Sequence, residues 1–234
     1  MRRKQFAVLL FLTMVCPLYA VAVGINFTGP SVEWSTLAPE VKAGMAPYAQ
    51  KNWNNMTVTA DDPNGHQNQG ELQKVNDSRG LPVSGLKVRV GADRSTQIWP
   101  LDGADWGFTE GDAVLHKGMV YPQAIVEISG IPYVRYDVIL YSTAGKSGGR
   151  NSASIKKKAG AGAVDPVGAY FDNFIWNNGN YAVATANSPE AAKAASASNV
   201  IVFKGNTARS IIIEWDGRFD NWSGLAGIQI VPSR

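Results

Sequence analysis

Cysteine is nearly absent from this 234-residue chain. The one cysteine, Cys16, lies within the first 22 residues. The rest of the chain therefore has no disulfide, no thiolate nucleophile and no cysteine-based metal site. Histidine is almost as scarce: only His66 and His116 occur, too far apart for a His-x-His or His-x-x-x-His pair, so a zinc site has no framework. Long amphipathic stretches of Ala, Leu, Glu and Lys are missing, which excludes a helical bundle. After residue 20 there is no apolar run long enough to span a bilayer.

The N-terminus reads as an export leader. Arg2, Arg3 and Lys4 open it, the apolar run Phe6–Ala20 follows, and Ala20-Val21-Ala22 fits the small-x-small cleavage rule. The expectation is a signal peptide over residues 1–22 and a mature chain, 23–234, forming a single domain. An uncleaved anchor is the alternative. Lipidation at Cys16 fits poorly, because Val15 and Thr13 precede it. Removing the leader takes away three of the 22 basic residues, leaving them equal to the 19 acidic ones. A neutral mature chain has no general attraction for nucleic acid or an acidic membrane surface. The expected location is secreted, extracellular or periplasmic, with no membrane association once the leader is gone.

What is abundant points to strands. There are 24 glycines and 12 prolines, and 45% of residues are hydrophobic, enough for a sizeable core. Short β-branched or alternating runs recur about every ten residues: Gly24–Phe27, Met56–Ala60, Leu86–Val90, Thr96–Trp99, Ala113–Tyr121, Gln123–Ile131, Tyr136–Ser142, Ser152–Ala159, Val200–Phe203, Ser210–Trp215 and Leu225–Val231. Asp61–Gly70, Leu101–Asp112 and Gly145–Asn151 read as loops. A Gly/Ala-rich linker precedes an aromatic insertion, Tyr170–Tyr181. Ser188-Pro189-Glu190 opens the one expected helix, with Ser as N-cap and Pro in its first turn. The predicted fold is all-β, an antiparallel β-sandwich or jelly roll with one short helix.

Several short motifs occur together in order: Gly24-Ile25-Asn26-Phe27-Thr28-Gly29, Asn52-Trp53-Asn54-Asn55, Ser129-Gly130-Ile131-Pro132 running into Tyr136–Tyr141, and the terminal Gly227-Ile228-Gln229-Ile230-Val231. In this order the chain resembles exported bacterial β-sandwich modules, galactose-binding-like jelly rolls of the kind found in PEP-CTERM-type proteins. The resemblance implies a fold and export and carries no catalytic residues with it. The chain departs from that group in ending at Arg234 with no C-terminal sorting tail.

Catalytic motifs fail on context. Gly145-Lys146-Ser147-Gly148-Gly149 matches G-x-S-x-G, but no helix follows it and both histidines precede it. The same stretch is no P-loop, because the glycine required five residues earlier is Leu140. Glu214 and Asp216 share one strand face, with Ile211, Ile213 and Trp215 facing the core. This leaves either a carboxylate pair for glycoside hydrolysis or a solvated face. Oxygen-rich loops offer hosts for one structural calcium, otherwise no cofactor is expected: Asp61, Asp62 and Asn64; Asp102, Asp105, Glu110 and Asp112; or Asp216, Asp220 and Asn221. Ordinary turn chemistry accounts for the same residues.

Seven tryptophans are present, several in polar loops. Sugar-binding modules stack pyranose faces on Trp and fix hydroxyls with Asn, Asp and Arg. The candidate ligand residues are therefore Trp106, Trp176, Asn177, Arg218, Asp220, Asn221 and Trp222, with the Tyr170–Tyr181 and Asp216–Gly224 loops sharing a rim. The expected function is non-catalytic binding of carbohydrate or another extracellular polymer. The alternatives are a structural protein that self-associates, and a polysaccharide-active hydrolase or lyase.

Overall fold

The structure, a computed structural model, describes residues 21–29, 35–60, 68–91, 97–100, 107–144, 150–159, 163–173, 177–217 and 223–233. The strands are β1 (Val23–Thr28), β2 (Asn54–Thr57), β3 (Thr59–Ala60), β4 (Asn68–Leu72), β5 (Lys87–Gly91), β6 (Gln97–Pro100), β7 (Gly118–Tyr121), β8 (Gln123–Ser129), β9 (Tyr136–Ala144), β10 (Arg150–Ala159), β11 (Ala163–Asn173), β12 (Val200–Asn206), β13 (Ser210–Asp216) and β14 (Ser223–Pro232). The helices are α1 (Glu110–Leu115) and α2 (Pro189–Ala194). The strands form two seven-stranded sheets. The first runs β12-β9-β14-β1-β2, with β7 and β6 attached through β14; the second runs β11-β10-β13-β8-β5-β4-β3. The predicted all-β sandwich is what forms. Its pairing is antiparallel except for β1 and β2, which run parallel.

Alternation sets the inter-sheet core. Val126 and Ile128 of β8, Ile211, Ile213 and Trp215 of β13, and Val138 and Leu140 of β9 meet between the sheets. Trp215 is accommodated because its cross-strand partners on the same face are Ala153 and Ala124. Each fully buried Ile or Leu here stabilises the fold by about 1.5–3 kcal/mol.

The two sheets differ in their second faces. In β9 and β14 nearly every residue is buried, whichever way it points. The reason is a second cluster on the outside of the first sheet, where Ile139, Tyr141, Ala226 and Val231 pack under Leu37, Ala43 and Trp53 and under Leu115 of α1. The Asn52–Asn55 motif fastens this cover. The Trp53 indole donates to the Gln50 carbonyl at 3.1 Å, Asn54 donates to the Gly24 carbonyl at 2.9 Å, and Asn55 pairs with both backbone groups of Leu37. Among the described residues the second sheet has no such cover over β8 and β13, whose outward residues stay partly exposed.

Three expectations are corrected. Ala113–Tyr121 is not one strand: α1 occupies its first part and β7 only Gly118–Tyr121. The helix starts after an extended Thr109, carries Glu110 and Asp112 in its first turn, and is buried on two sides, Leu115 in the cluster outside the first sheet and Ala113 beside Phe108. The fold therefore has a second short helix. The end of the Gly/Ala-rich linker, from Ala163, and the start of the aromatic insertion are strand β11, paired along β10. Residues 68–70 of the expected Asp61–Gly70 loop belong to β4. The helix at Ser188 is as expected, with the Ser188 hydroxyl accepting from the Ala191 N–H at 3.1 Å.

Candidate functional site

The open face of the second sheet holds a groove of about 390 Å³. Its floor consists of two cross-strand rows, fixed by register. One row runs Ala169, Ser154, Glu214, Ile125 across β11, β10, β13 and β8; the next contains Ser152, Asp216 and Gln123. The hollow exists because β10 and β11 present Ser and Ala outward, where their neighbours present longer side chains. Four strands at about 4.8 Å spacing make the floor about 14 Å wide.

The groove is polar and its groups are held. The Lys156 ammonium pairs with Glu214 Oε1 at 2.5 Å, and the Ser154 hydroxyl donates to Glu214 Oε2 at 3.3 Å. Gln123 Nε2 donates to Asp216 Oδ2 at 3.4 Å. Ile125 is the apolar element, 41% exposed. This set offers carboxylate acceptors, hydroxyls and an amide donor on a rigid sheet, the chemistry that recognises neutral hydroxyl groups. It is less suited to hydrolysis. Glu214 and Asp216 rise side by side from one strand, two residues or about 6.6 Å apart, whereas a catalytic pair flanks the scissile bond from opposite sides.

Of the predicted ligand residues, Trp106, Trp176, Arg218, Asp220, Asn221 and Trp222 lie outside the described residues. Asn177 begins a 3₁₀ turn, Asn177–Gly179, in which Asn178 has φ 49° and ψ 45°. That turn touches Gly107: a Cβ on Gly179 would lie 2.0 Å from the Gly107 carbonyl oxygen. The chain next to Trp106 and the chain next to Trp176 are thus in backbone contact. The registers Ser152↔Asp216, Ser223↔Ala144 and Arg150↔Asn173 put the exits of β13, β9 and β11 at one end of the sandwich. The connections carrying Trp176 and Trp222 both leave from that end, where the groove row of Ser152, Asp216 and Gln123 also lies.

The calcium loops around Asp61, Asp62 and Asn64, and Asp102 and Asp105, fall outside the described residues, as do Asp220 and Asn221. Among the described residues, no group of three or more His, Cys, Asp or Glu is placed to hold a metal. His66 and the Gly145–Gly149 stretch are likewise outside. Asp112, one of the calcium candidates, anchors two donors of the fold. Its Oδ1 accepts from the Gly44 N–H at 2.6 Å and from the Tyr181 hydroxyl at 2.8 Å. Burial raises the Asp112 carboxyl above its usual range.

Sequence reasoning missed the cluster to which Asp112 belongs. His116 is fully buried and stacked on Phe108 at 4.2 Å between ring centroids, with the rings 7° from parallel. Tyr181 lies against both rings, and the Tyr141 hydroxyl donates to Gln229 Oε1 at 2.7 Å. Burial pushes the His116 pKa down to about 3. The available signal was the i, i+4 spacing of Asp112 and His116, hidden once the segment is read as a strand.

A larger hollow of about 670 Å³ lies at the opposite end of the sandwich, lined by Ala22, Lys42, Tyr48, Lys51, Asp137 and Pro232 among others. It is where the chain enters β1, and its polar side chains serve the fold: Gln50 Oε1 accepts from Gln229 Nε2 at 2.8 Å, and Asp137 Oδ1 accepts from the Ser233 hydroxyl at 2.6 Å and from the Gly205 N–H at 2.8 Å. Compared with protein-family models, curated proteins and solved structures, the chain finds no match in any of the three.

Proposed function

We propose that this protein is an exported, non-catalytic module that binds a neutral polysaccharide across the open face of its second sheet. The observation that carries the reading is the contrast between the sheets. The first is covered on both faces, while the second leaves a groove lined by Gln123, Ser152, Ser154, Glu214 and Asp216. In this reading Trp176 and Trp222 supply the stacking rings. Hydroxyls meet protein groups directly, so a chelator leaves binding unchanged. The test is affinity electrophoresis of the mature protein through a panel of soluble neutral polysaccharides. Retardation by at least one of them, reduced by Asp216→Ala and by Trp222→Ala, is expected. Mobility unaffected by every polymer would refute the proposal.

Self-association through the same face is a second reading, favoured by the exposure of Ile125 at the centre of an uncovered sheet. Sedimentation separates the two. A monomer at high concentration leaves only the polymer-binding reading, whereas a dimer dissociated by Ile125→Lys supports self-association.

A further inference from the structure

The described residues begin at Val21, two residues before the expected mature terminus. The Ala22 carbonyl accepts from the Ser78 N–H at 2.8 Å, and the Val21 carbonyl accepts from the Tyr133 hydroxyl at 2.6 Å. The Ala22 side chain is buried in the cluster outside the first sheet. Val23 begins β1, is fully buried, and pairs with Ile230. A chain starting at Val23 would lose both acceptors and place an ammonium on a residue with no exposed surface. A chain starting at Val21 keeps both bonds and places the ammonium on a partly exposed residue. Burial pushes the Tyr133 phenol up to about 12, so it stays protonated as a donor throughout the physiological range, and Asp77 is close enough to act on it electrostatically.

We infer that export processing cuts between Ala20 and Val21, so that the mature protein begins at Val21 and not at Val23. The inference rests on reading the N-terminus as a cleaved leader. Water adds across the Ala20–Val21 amide; the Ala20 carboxylate leaves with the leader and Val21 keeps the amine. Ala20 is then the small residue before the cut; Leu18, at the position Ala20 holds for the other cut, is larger than the small-x-small rule favours, so the packing of Val21 and Ala22 carries the inference. Val21 and Ala22, which complete the small-x-small pattern in sequence, belong to the fold.

N-terminal sequencing of the protein exported from the full-length chain tests this. Val-Ala-Val-Gly is expected. Val-Gly-Ile-Asn overturns the inference while leaving the leader reading intact. An intact N-terminus at Met1 overturns the leader reading and the inference with it. An independent measurement compares thermal unfolding of forms beginning at Val21 and at Val23. The longer form is expected to melt several degrees higher. Tyr133→Phe should lower the melting temperature of the longer form and leave the shorter one unchanged, because only the longer form has the acceptor. Equal melting of the two forms, or an equal effect of Tyr133→Phe in both, contradicts the packing argument.

Discussion

At the residue scale, His116 and Asp112 make opposite contributions to acid stability. His116 is buried and neutral, with its pKa pushed down to about 3 from an unperturbed 6.5. As pH falls below 6.5 the unfolded chain takes up a proton that the folded chain refuses. The stability His116 contributes is present above pH 6.5 and lost toward pH 3, at about 1.4 kcal/mol per pH unit while only the unfolded form is protonated. Asp112 has a raised pKa, so its ionised form is disfavoured in the fold, and protonation on acidification favours the folded state. Urea unfolding from pH 7 to pH 4 should show a falling midpoint that flattens in His116→Phe and steepens in Asp112→Asn. Asp112→Asn keeps an oxygen acceptor for Gly44 and Tyr181, whereas Asp112→Ala strands both donors and should cost about 2–4 kcal/mol. Gly130 is a different kind of constraint. Its φ is +72°, and a Cβ there would lie 1.9 Å from the Gly85 carbonyl oxygen. Gly130→Ala should therefore destabilise by about 3 kcal/mol or more, read from denaturant midpoints.

At the element scale, strands of the two sheets should tolerate substitution differently. Ile139 points out of the sandwich on β9 yet is fully buried beneath the outer cover, and Ile213 points inward on β13. Ile139→Ala and Ile213→Ala should each cost about 2–5 kcal/mol. Ile125→Ala, on the open face of β8, should change stability by about 0.5 kcal/mol or less. The Lys156–Glu214 pair is solvent-accessible, and Lys156→Ala should cost at most about 1 kcal/mol. The alternation of β13 was legible in sequence, including the inward Trp215 and the outward Glu214 and Asp216. Period-two patterning reports burial directly when one face is wet. The α1 segment was not legible. The short apolar run Ala113-Val114-Leu115 fits a strand or a buried helix equally, and burial of Ala113 and Leu115, two residues apart, mimics the alternation of a strand. The outer cover was also hidden, because residues 35–53 are polar, Pro-punctuated and held by side-chain-to-backbone bonds that leave no periodic trace.

At the scale of the whole molecule, asymmetric covering is what singles out the proposed binding face. One sheet is sealed by the 35–53 segment and α1. The other keeps a groove whose depth comes from Ser152, Ser154 and Ala169. In the sequence the candidate loop tryptophans pointed toward carbohydrate. The sheet floor was not legible, since Ser152 and Ser154 become a site only when register sets them beside Glu214, Asp216 and Gln123. The most direct measurement is a calorimetric titration of the mature protein and its Ser154→Trp variant with a neutral polysaccharide that the panel identifies. Trp at this position fills the groove floor from an outward position and leaves the core untouched. Binding weakened at least about tenfold, about 1.4 kcal/mol, with an unchanged melting temperature is the predicted result. Equal affinity in the two proteins would contradict the assignment of the groove as the binding face.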